Sequence, residues 1–445
     1  MRCILCVRIL GWSYSGTSRF RIRRSLLRPP MMRLSRATFQ TSTLPCAPMR
    51  KIPQRVRRRG MINGERVRQA RELRGLRQEE LAERVNITQP TISKIEAGTK
   101  QPSDEVLTAI ALQTGFPPSF FRQAPPVDFP FGSLMYRERN MTPEDKKAAN
   151  RYGQTLFELA ERMAARMNLP PQRLRHLEED PATAARIVRA ALGLSHDAPV
   201  ANLIDAVERA GVLVFMLPVA LDKGAGFSEW VRSAGSDTRK PIIVLFSGSS
   251  GDRLRLTLAH ELGHLVMHPR ISVKQMEDEA YTFACELLVP ETAMRQELIP
   301  PFGLAALAKM KVRWGISIAA LIQHAKRLGI ITRHQYDYLR AKMGQAGWLN
   351  QEPPNLAIPV ENPRAVRKMA ELMYGNPVDY QRLASDAKFL PPFARQLVEA
   401  HASREEMPRR NASETETAAG REAPLDNISD FSRRHANSGR AKQRL

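Results

Sequence analysis

The sequence predicts a multidomain chain, an all-α N-terminal module followed by an α+β domain. Three observations carry this. Residues 61–121 hold four short segments of helical apolar period, broken by turn residues. Residues 212–246 hold three short apolar runs of strand character. An apolar helical segment with His-Glu-x-x-His at 260–264 follows shortly after.

Bulk composition narrows the class. With 43% apolar and 25% charged residues over 445, the chain has material for two or three cores and is not disordered as a whole. No run approaches about 18 consecutive apolar residues, so an integral membrane protein is excluded and no membrane partner is expected. Cys3, Cys6 and Cys46 precede the first module, and Cys285 has no partner in the body of the chain. A disulfide scaffold is therefore excluded and a reducing, cytoplasmic setting is expected. The net charge of +23 is concentrated at one end: residues 1–60 carry fifteen Arg or Lys and no Asp or Glu, which leaves +8 for 61–445. That remainder permits nucleic-acid binding without demonstrating it. Residues 1–60 read as a basic leader, transit-like in composition, and preferably as a disordered arm or a mis-called start before Met61. Residues 403–445 read as a disordered polar tail.

The first helix is expected from about Gly64 to Arg74, burying Val67, Ala70 and Leu73, and the second from Gln78 to Val85, burying Leu81, Ala82 and Val85. Between the second and third stands Asn86-Ile87-Thr88, with Asn tolerating the left-handed backbone of a tight turn. Thr88 is placed to cap the third helix, Gln89–Ala97, with Pro90 in its first turn and Gly98 as its stop. Ile92 and Ile95 face inward. Ser103 caps a fourth helix that buries Val106, Leu107, Ile110 and Ala111. Two short helices on a three-residue turn, with the small Ala82 at their crossing, make a helix-turn-helix.

The run Arg77-Gln78-Glu79-Glu80-Leu81-Ala82, continued by Thr88-Gln89-Pro90-Thr91-Ile92-Ser93-Lys94-Ile95-Glu96-Ala97-Gly98, resembles the XRE family of phage repressor and Cro-like regulators. The resemblance implies a Cro/repressor-like fold over 61–121 that binds a double-stranded DNA operator as a homodimer. It puts Gln78 at a phosphate and turns Gln89, Pro90, Thr91 and Lys94 to the major groove. The chemistry agrees, since a Gln amide can pair bidentately with adenine and Lys can donate to guanine. Pro90 departs from the polar side chain common there and offers only apolar contact.

Residues 122–180 read as a linker and helical connector, Pro- and Phe-rich at first, then an amphipathic helix or helix pair over 144–177 with Leu156, Leu159, Met163 and Met167 on one stripe. Helices at Ala182–Leu194 and Val200–Ala210 precede strands at Val212–Leu217, Gly226–Val231 and Pro241–Phe246. The last is a continuous apolar run, as a strand covered on both faces gives.

The strongest chemical signal is His260-Glu261-Leu262-Gly263-His264. Positions i and i+4 share a helix face, so His260 and His264 can ligate one metal ion. Glu261 lies about 100° around the helix, where it can accept a proton from water rather than bind the ion. Two neutral imidazoles suit Zn²⁺. A following helical segment, Met276–Pro290, has an acidic first turn that can supply a third ligand. His268 reads as a helix-end histidine and Cys285 as a buried, inert thiol.

The pattern Arg253-x-Arg255-x-Thr257-x-Ala259-His260-Glu261-Leu262-Gly263-His264, with Glu277-x-Glu279-Ala280-x-x-Phe283-Ala284-x-x-Leu287-Leu288-x-Pro290, resembles the ImmA/IrrE family of metallopeptidase-like proteins. The likeness runs from about Ala190 to Pro353 and takes in Arg313-Trp314-Gly315-Ile316-Ser317 and Gly347-Trp348. It implies a zincin-like α+β domain of the gluzincin type over 181–353, Zn²⁺ held by His260, His264 and Glu277, Glu261 as general base, and a protein substrate. Glu277 is preferred to Glu279 on its distance from the Leu-Leu-x-Pro segment. A metzincin is excluded, because Met267 and Arg270 stand where that pattern needs Gly and His. Further helices are expected at 304–310, 318–328 and 334–343. A C-terminal helical segment, 354–402, should contain a helical pair that packs on the peptidase-like domain or mediates self-association.

Together these readings imply a transcription regulator that binds DNA and carries a zinc-dependent endopeptidase domain able to cleave a regulatory protein. The alternative is a non-proteolytic repressor or antitoxin-like regulator whose peptidase fold senses metal or a ligand.

Overall fold

The computed structural model describes residues 60–130, 141–218, 226–233, 237–268, 274–301, 303–349 and 351–402. The leader up to residue 59 and the tail from 403 lie outside the described residues.

The N-terminal module consists of α1 (Gly64–Leu73), α2 (Gln78–Arg84), α3 (Gln89–Glu96) and α4 (Asp104–Thr114). Asn86 adopts φ 53° in the turn before α3, and Gly98, at φ 74°, ends the chain's run along α3. The Ser103 hydroxyl accepts from the Val106 N–H. Thr88 differs from expectation. It occupies the N-cap of α3 by backbone, but its hydroxyl lies 3.0 Å from Thr91 Oγ1 and caps no backbone N–H. Gly64 is a packing requirement, since a Cβ there would lie 2.3 Å from the Ile95 carbonyl oxygen.

The connector holds one helix rather than a pair, α5 (Pro143–Ala164), capped by Thr142. It cannot run on through Pro170-Pro171, which lack N–H donors and clash with the preceding turn. One flank of α5 is polar and buried against α1. Arg151 Nε bonds Glu72 at 2.6 Å, Arg66 bonds Glu158 at 2.7 Å, and Gln69 donates to Gln154 at 3.1 Å. The other flank carries Leu156, Phe157 and Met163 into a core shared with the sheet.

The sheet is three-stranded, ordered β1-β3-β2, from β1 (Leu213–Leu217), β2 (Gly226–Arg232) and β3 (Arg239–Phe246). β1 pairs parallel and β2 antiparallel with the central β3. Alternation sorts the side chains: Phe215, Phe227, Val244 and Phe246 meet α5, while Val214, Met216, Ile243 and Leu245 face the opposite core. Both faces are covered, which is why Pro241–Phe246 is buried throughout and shows no polar alternation.

That opposite core is built from α6 (Pro181–Ala191), α7 (Leu203–Arg209), α8 (Gly251–Met267), α9 (Lys274–Leu288), α10 (Glu291–Glu297), α11 (Leu304–Trp314), α12 (Ile318–Arg327) and α13 (Arg333–Gln345). The C-terminal segment forms three helices instead of two, α14 (Ala365–Tyr374), α15 (Tyr380–Ala387) and α16 (Pro391–Glu399). It meets the α+β domain, where Glu208 accepts from the Arg364 and Ala365 N–H groups. It also joins the core of α5 and the N-terminal module, where Phe393 lies 5.1 Å from Phe116 and 5.3 Å from Phe389 by ring centroid. Aromatic burial against an aromatic-rich module end decides this placement.

His401, fully buried beyond α16, accepts from the Met216 N–H through Nε2 and donates Nδ1–H to the Leu397 carbonyl at 2.8 Å. Burial pushes its pKa down to about 4. The unfolded chain, with an ordinary value near 6.5, then takes up a proton that the folded chain refuses. Stability present above about pH 6.5 is lost as pH falls toward 4, on the order of 3 kcal/mol. Buried Glu208, raised to about 8, works in the opposite sense. The test is therefore a difference: between pH 7.5 and 4.5, wild type should lose about 3 kcal/mol more urea stability than His401→Asn.

Candidate metal centre and nucleic-acid interface

The sheet positions the candidate metal centre. On β2, Gly226 and Ser228 point toward α8, and a Cβ on Gly226 would meet Thr257 and Glu261 at 3.0 and 3.3 Å. The Ser228 hydroxyl donates to Glu261 Oε2 at 3.0 Å, and Trp230 Nε1–H donates to the Leu265 carbonyl at 2.9 Å. The second helix comes close because residue 263 is glycine. A Cβ there would lie 2.9 Å from the Phe283 ring and 3.3 Å from Ala280 Cα. This approach of α9 carries Glu277 to the histidines.

His260 Nε2 and His264 Nε2 lie 3.1 Å apart, and Glu277 places Oε2 3.2 Å from the former and Oε1 3.5 Å from the latter. One ligand atom from each of the three falls within 4.8 Å of the others. Tetrahedral Zn²⁺ with ligands at about 2.0–2.1 Å needs ligand atoms about 3.3 Å apart, so the donor set fits that ion in both chemistry and span. Glu261 stays on the adjacent face with Ser228. Glu279, the competing carboxylate, goes elsewhere: its Oε2 meets His268 Nε2 at 2.9 Å and its Oε1 accepts from Gln275. Those two hydrogen bonds hold the Glu279 carboxyl below the usual carboxylate range. His268 is the C-cap of α8, as expected of a helix-end residue, and it also contacts His264 Nδ1 at 2.9 Å.

A cleft of about 890 Å³ opens over this group, lined by His260, Glu261, Glu277, Tyr281, Trp348 and Ile358. The segment 352–361 forms one wall and is tied at both ends. Glu352 accepts from the Ile318 N–H and pairs with Lys311, which also pairs with Asp252. Glu361 accepts from the N–H groups of Leu203 and Ile204 and pairs with Arg255. Gly251 is required beneath the segment, because a Cβ would lie 2.3 Å from the Ile358 carbonyl oxygen. Gly315, at φ 72°, gives room to Arg255. The arginine and glycine of the sequence pattern thus build the cleft wall.

In the N-terminal module Pro90 and Lys94 are exposed and Gln89, Thr91 and Gln78 half-buried along the start of α3 and α2. Glu96, fully desolvated, orders them. Its carboxylate accepts from Arg71 at 2.6 and 3.0 Å and from Gln78 Nε2 at 2.8 Å. An acceptor-only carboxylate fixes which way the Gln78 amide points, so its Oε1 is left to accept from Gln89 Nε2 at 2.8 Å. Glu96 was invisible to sequence reasoning as a site residue, as were Ser228 and the His268–Glu279 contact. The double i+4 step His260, His264, His268 was the available signal for the last.

Comparison with known proteins matches two stretches of the chain. Residues 67–121 match the helix-turn-helix family model, and residues 207–326 match the IrrE N-terminal-like domain. The chain thus carries a helix-turn-helix-like segment followed by a segment similar to the IrrE N-terminal-like domain. The second matched segment contains His260, His264 and Glu277. An uncharacterized immunity region protein 2 of Bacillus phage phi105 is 33% identical over 103 residues, 21% of this chain. The chain spans 62% of that relative's length. The crystal structure of Bacillus thuringiensis PlcR in complex with the peptide PapR7 and DNA aligns over 80% of this chain and 99% of its own at 13% identity. Its TM-score of 0.13 is too low to mean a shared overall fold. No helix among the described residues is long and apolar enough to cross a membrane.

Proposed function

We propose that this protein is a transcription regulator that binds operator DNA as a homodimer and carries a zinc-dependent endopeptidase acting on a regulatory protein. The observation that carries the enzymatic half is the convergence of His260, His264 and Glu277 beside a separately anchored Glu261. The immunity-region name of the phage relative fits a regulatory setting.

Bound by His260, His264 and Glu277, Zn²⁺ would supply Lewis acidity. The chain's own residues do the rest. Glu261 accepts the proton of the attacking water and returns it to the leaving amine. The Ser228 hydroxyl donates to Glu261 Oε2 and so orients the carboxylate beside the metal position. The open cleft walled by 352–361 gives room for an extended peptide. On DNA, Gln89, Pro90, Thr91 and Lys94 meet base edges in the major groove and Gln78 meets a phosphate, with the Glu96–Gln78–Gln89 chain fixing the amide before contact.

The test is Glu261→Gln. Metal binding should persist while cleavage and the dependent regulation are lost. Regulation that survives in a variant still loaded with metal would make the second domain a sensor instead. For the DNA half, the double variant Gln89→Ala, Lys94→Ala should lose operator binding at moderate salt, roughly 10- to 1,000-fold. Unchanged binding in a filter or anisotropy assay would overturn the operator-reading assignment.

A further inference from the structure

We propose that the cleft beside the metal position selects its peptide by one large apolar side chain, of the size of Leu, Met or Phe, seated against Trp348, Leu349 and Val360. The inference rests on the reading of this cleft as a peptide site, and it names the class of substrate that the site takes.

Exposure is the first observation. Nine large apolar side chains are exposed among the described residues, and two of them, Leu349 at 51% and Val360 at 49%, line the cleft. They come from separate segments, one following α13 and one in the wall 352–361. Trp348 and Ile358, both half-buried, line the same cleft. A single exposed Leu on a convex surface needs no explanation. Apolar groups from two segments that border one concave site are the lining a ligand's apolar part covers. Covering them takes the ligand side chain and the wall out of water together, which is the favourable direction.

The apolar wall is held in place before any ligand arrives, so little ordering is left for binding to offset. Gly347, at φ 74°, turns the chain back at the end of α13, and the Trp348 N–H donates to the Met343 carbonyl at 2.8 Å. Leu349 lies over a glycine of α13: a Cβ on Gly344 would stand 3.3 Å from Leu349 Cδ1. Val360 belongs to the wall whose ends are tied through Glu352 and Glu361. The charges of that wall are matched within the protein. Buried Lys311 pairs with both Asp252 and Glu352, and Glu361 pairs with Arg255. Arg253 also lines the cleft, as do Glu261 and Glu277 of the metal centre. A charged side chain is therefore the rival occupant, and the test includes one of each sign. At about 890 Å³ the cleft has room for peptide backbone beside the selected side chain.

The experiment uses the full chain, stripped of metal, so that its outcome does not depend on activity. The probes are blocked peptides, acetyl-Gly-Ser-X-Ser-Gly-amide, with X as Leu, Phe, Ala, Asp or Lys. Binding is followed by the shift of the Trp348 indole resonance, assigned with Trp348→Phe. We expect the Leu and Phe peptides to bind about 10- to 50-fold more tightly than the Ala peptide, the gain from covering the additional apolar groups. The Asp and Lys peptides should bind no better than Ala. Leu349→Ser and Val360→Ser should each weaken the Leu peptide by about 3- to 10-fold and leave the Ala peptide unchanged. Urea midpoints should stay at the wild-type value, because both side chains are exposed. Leu and Ala peptides bound within twofold of each other, or a preference for Asp or Lys, would overturn the apolar selection while leaving the cleft a peptide site. Failure of all five peptides to bind would remove the peptide reading of the cleft and this inference with it.

Discussion

Glu96→Ala should destabilise the N-terminal module by about 3–5 kcal/mol, because it takes the forked partner from a buried guanidinium and leaves it the Leu76 carbonyl and a 3.5 Å approach to Glu72. Arg71 is 7% exposed and Glu96 is not exposed at all, and their two contacts at 2.6 and 3.0 Å form a forked pair. Burial alone would lower the Arg71 pKa, but the pair with Glu96, with Glu72 and Glu79 nearby, more than offsets it and holds the pKa above the usual arginine value. The same substitution frees the Gln78 amide and, through it, Gln89. Operator binding should therefore fall further than the loss of folded protein explains. Gln78→Ala separates the two effects, since it should weaken DNA binding with a stability change below about 1 kcal/mol. Urea denaturation beside an anisotropy titration reads both. A Glu96→Ala protein as stable as wild type would contradict this, and would mean that Glu72 and the Leu76 carbonyl suffice for Arg71.

The second large effect is a coupling. α5 closes the N-terminal module with Arg66, Gln69 and Glu72 on one side and packs Phe157 and Leu156 against the sheet on the other. The sheet in turn backs onto α8, which bears both candidate histidines. The apolar core is continuous from Val67 through Phe157 to Phe246. Residues 61–402 should then unfold in one transition, and Zn²⁺ should stabilise the DNA-binding module that it never touches. At Zn²⁺ about 1,000-fold above its dissociation constant the gain is about 4 kcal/mol, and it should appear in both modules. Trp230, Trp314 and Trp348 all lie in the second domain and the remaining tryptophan, Trp12, lies outside the described residues. Tryptophan fluorescence therefore follows the second domain, and hydrogen exchange at α1–α4 amides follows the first. Two separate midpoints, with the α1–α4 amides indifferent to Zn²⁺, would refute the coupling.

What the sequence made legible follows from where the information is local. Asn86, Gly98 and Ser103 act on their own backbone, and each does in the structure what its residue type predicts. The spacing of His260 and His264 is one helical turn, so their shared face follows from helix geometry alone. The three strands were legible from their apolar runs, and the both-sided cover of β3 from its lack of alternation. Tertiary choices were not legible. The connector helix stops at Ala164, short of Pro170-Pro171, although its apolar stripe continues to Met167. The C-terminal helices sit on α5 and the Phe116–Phe120 pair because aromatic partners 270 or so residues away in sequence favour that seat, and nothing local says so. Thr88 forgoes its cap for Thr91, a competition between two hydroxyl partners that propensity does not rank. Glu277 and Glu279 differ only in which side of α9 they occupy relative to α8, and that is set by the close crossing at Gly263.

The proposed chemistry requires that the three converging donors hold an ion. The most direct measurement is the zinc content of the purified full chain, wild type beside His260→Ala, after dialysis against a weak chelator. The structure predicts about one Zn²⁺ per wild-type chain and none in the variant. Zinc absent from wild type, or retained undiminished in His260→Ala, would contradict it.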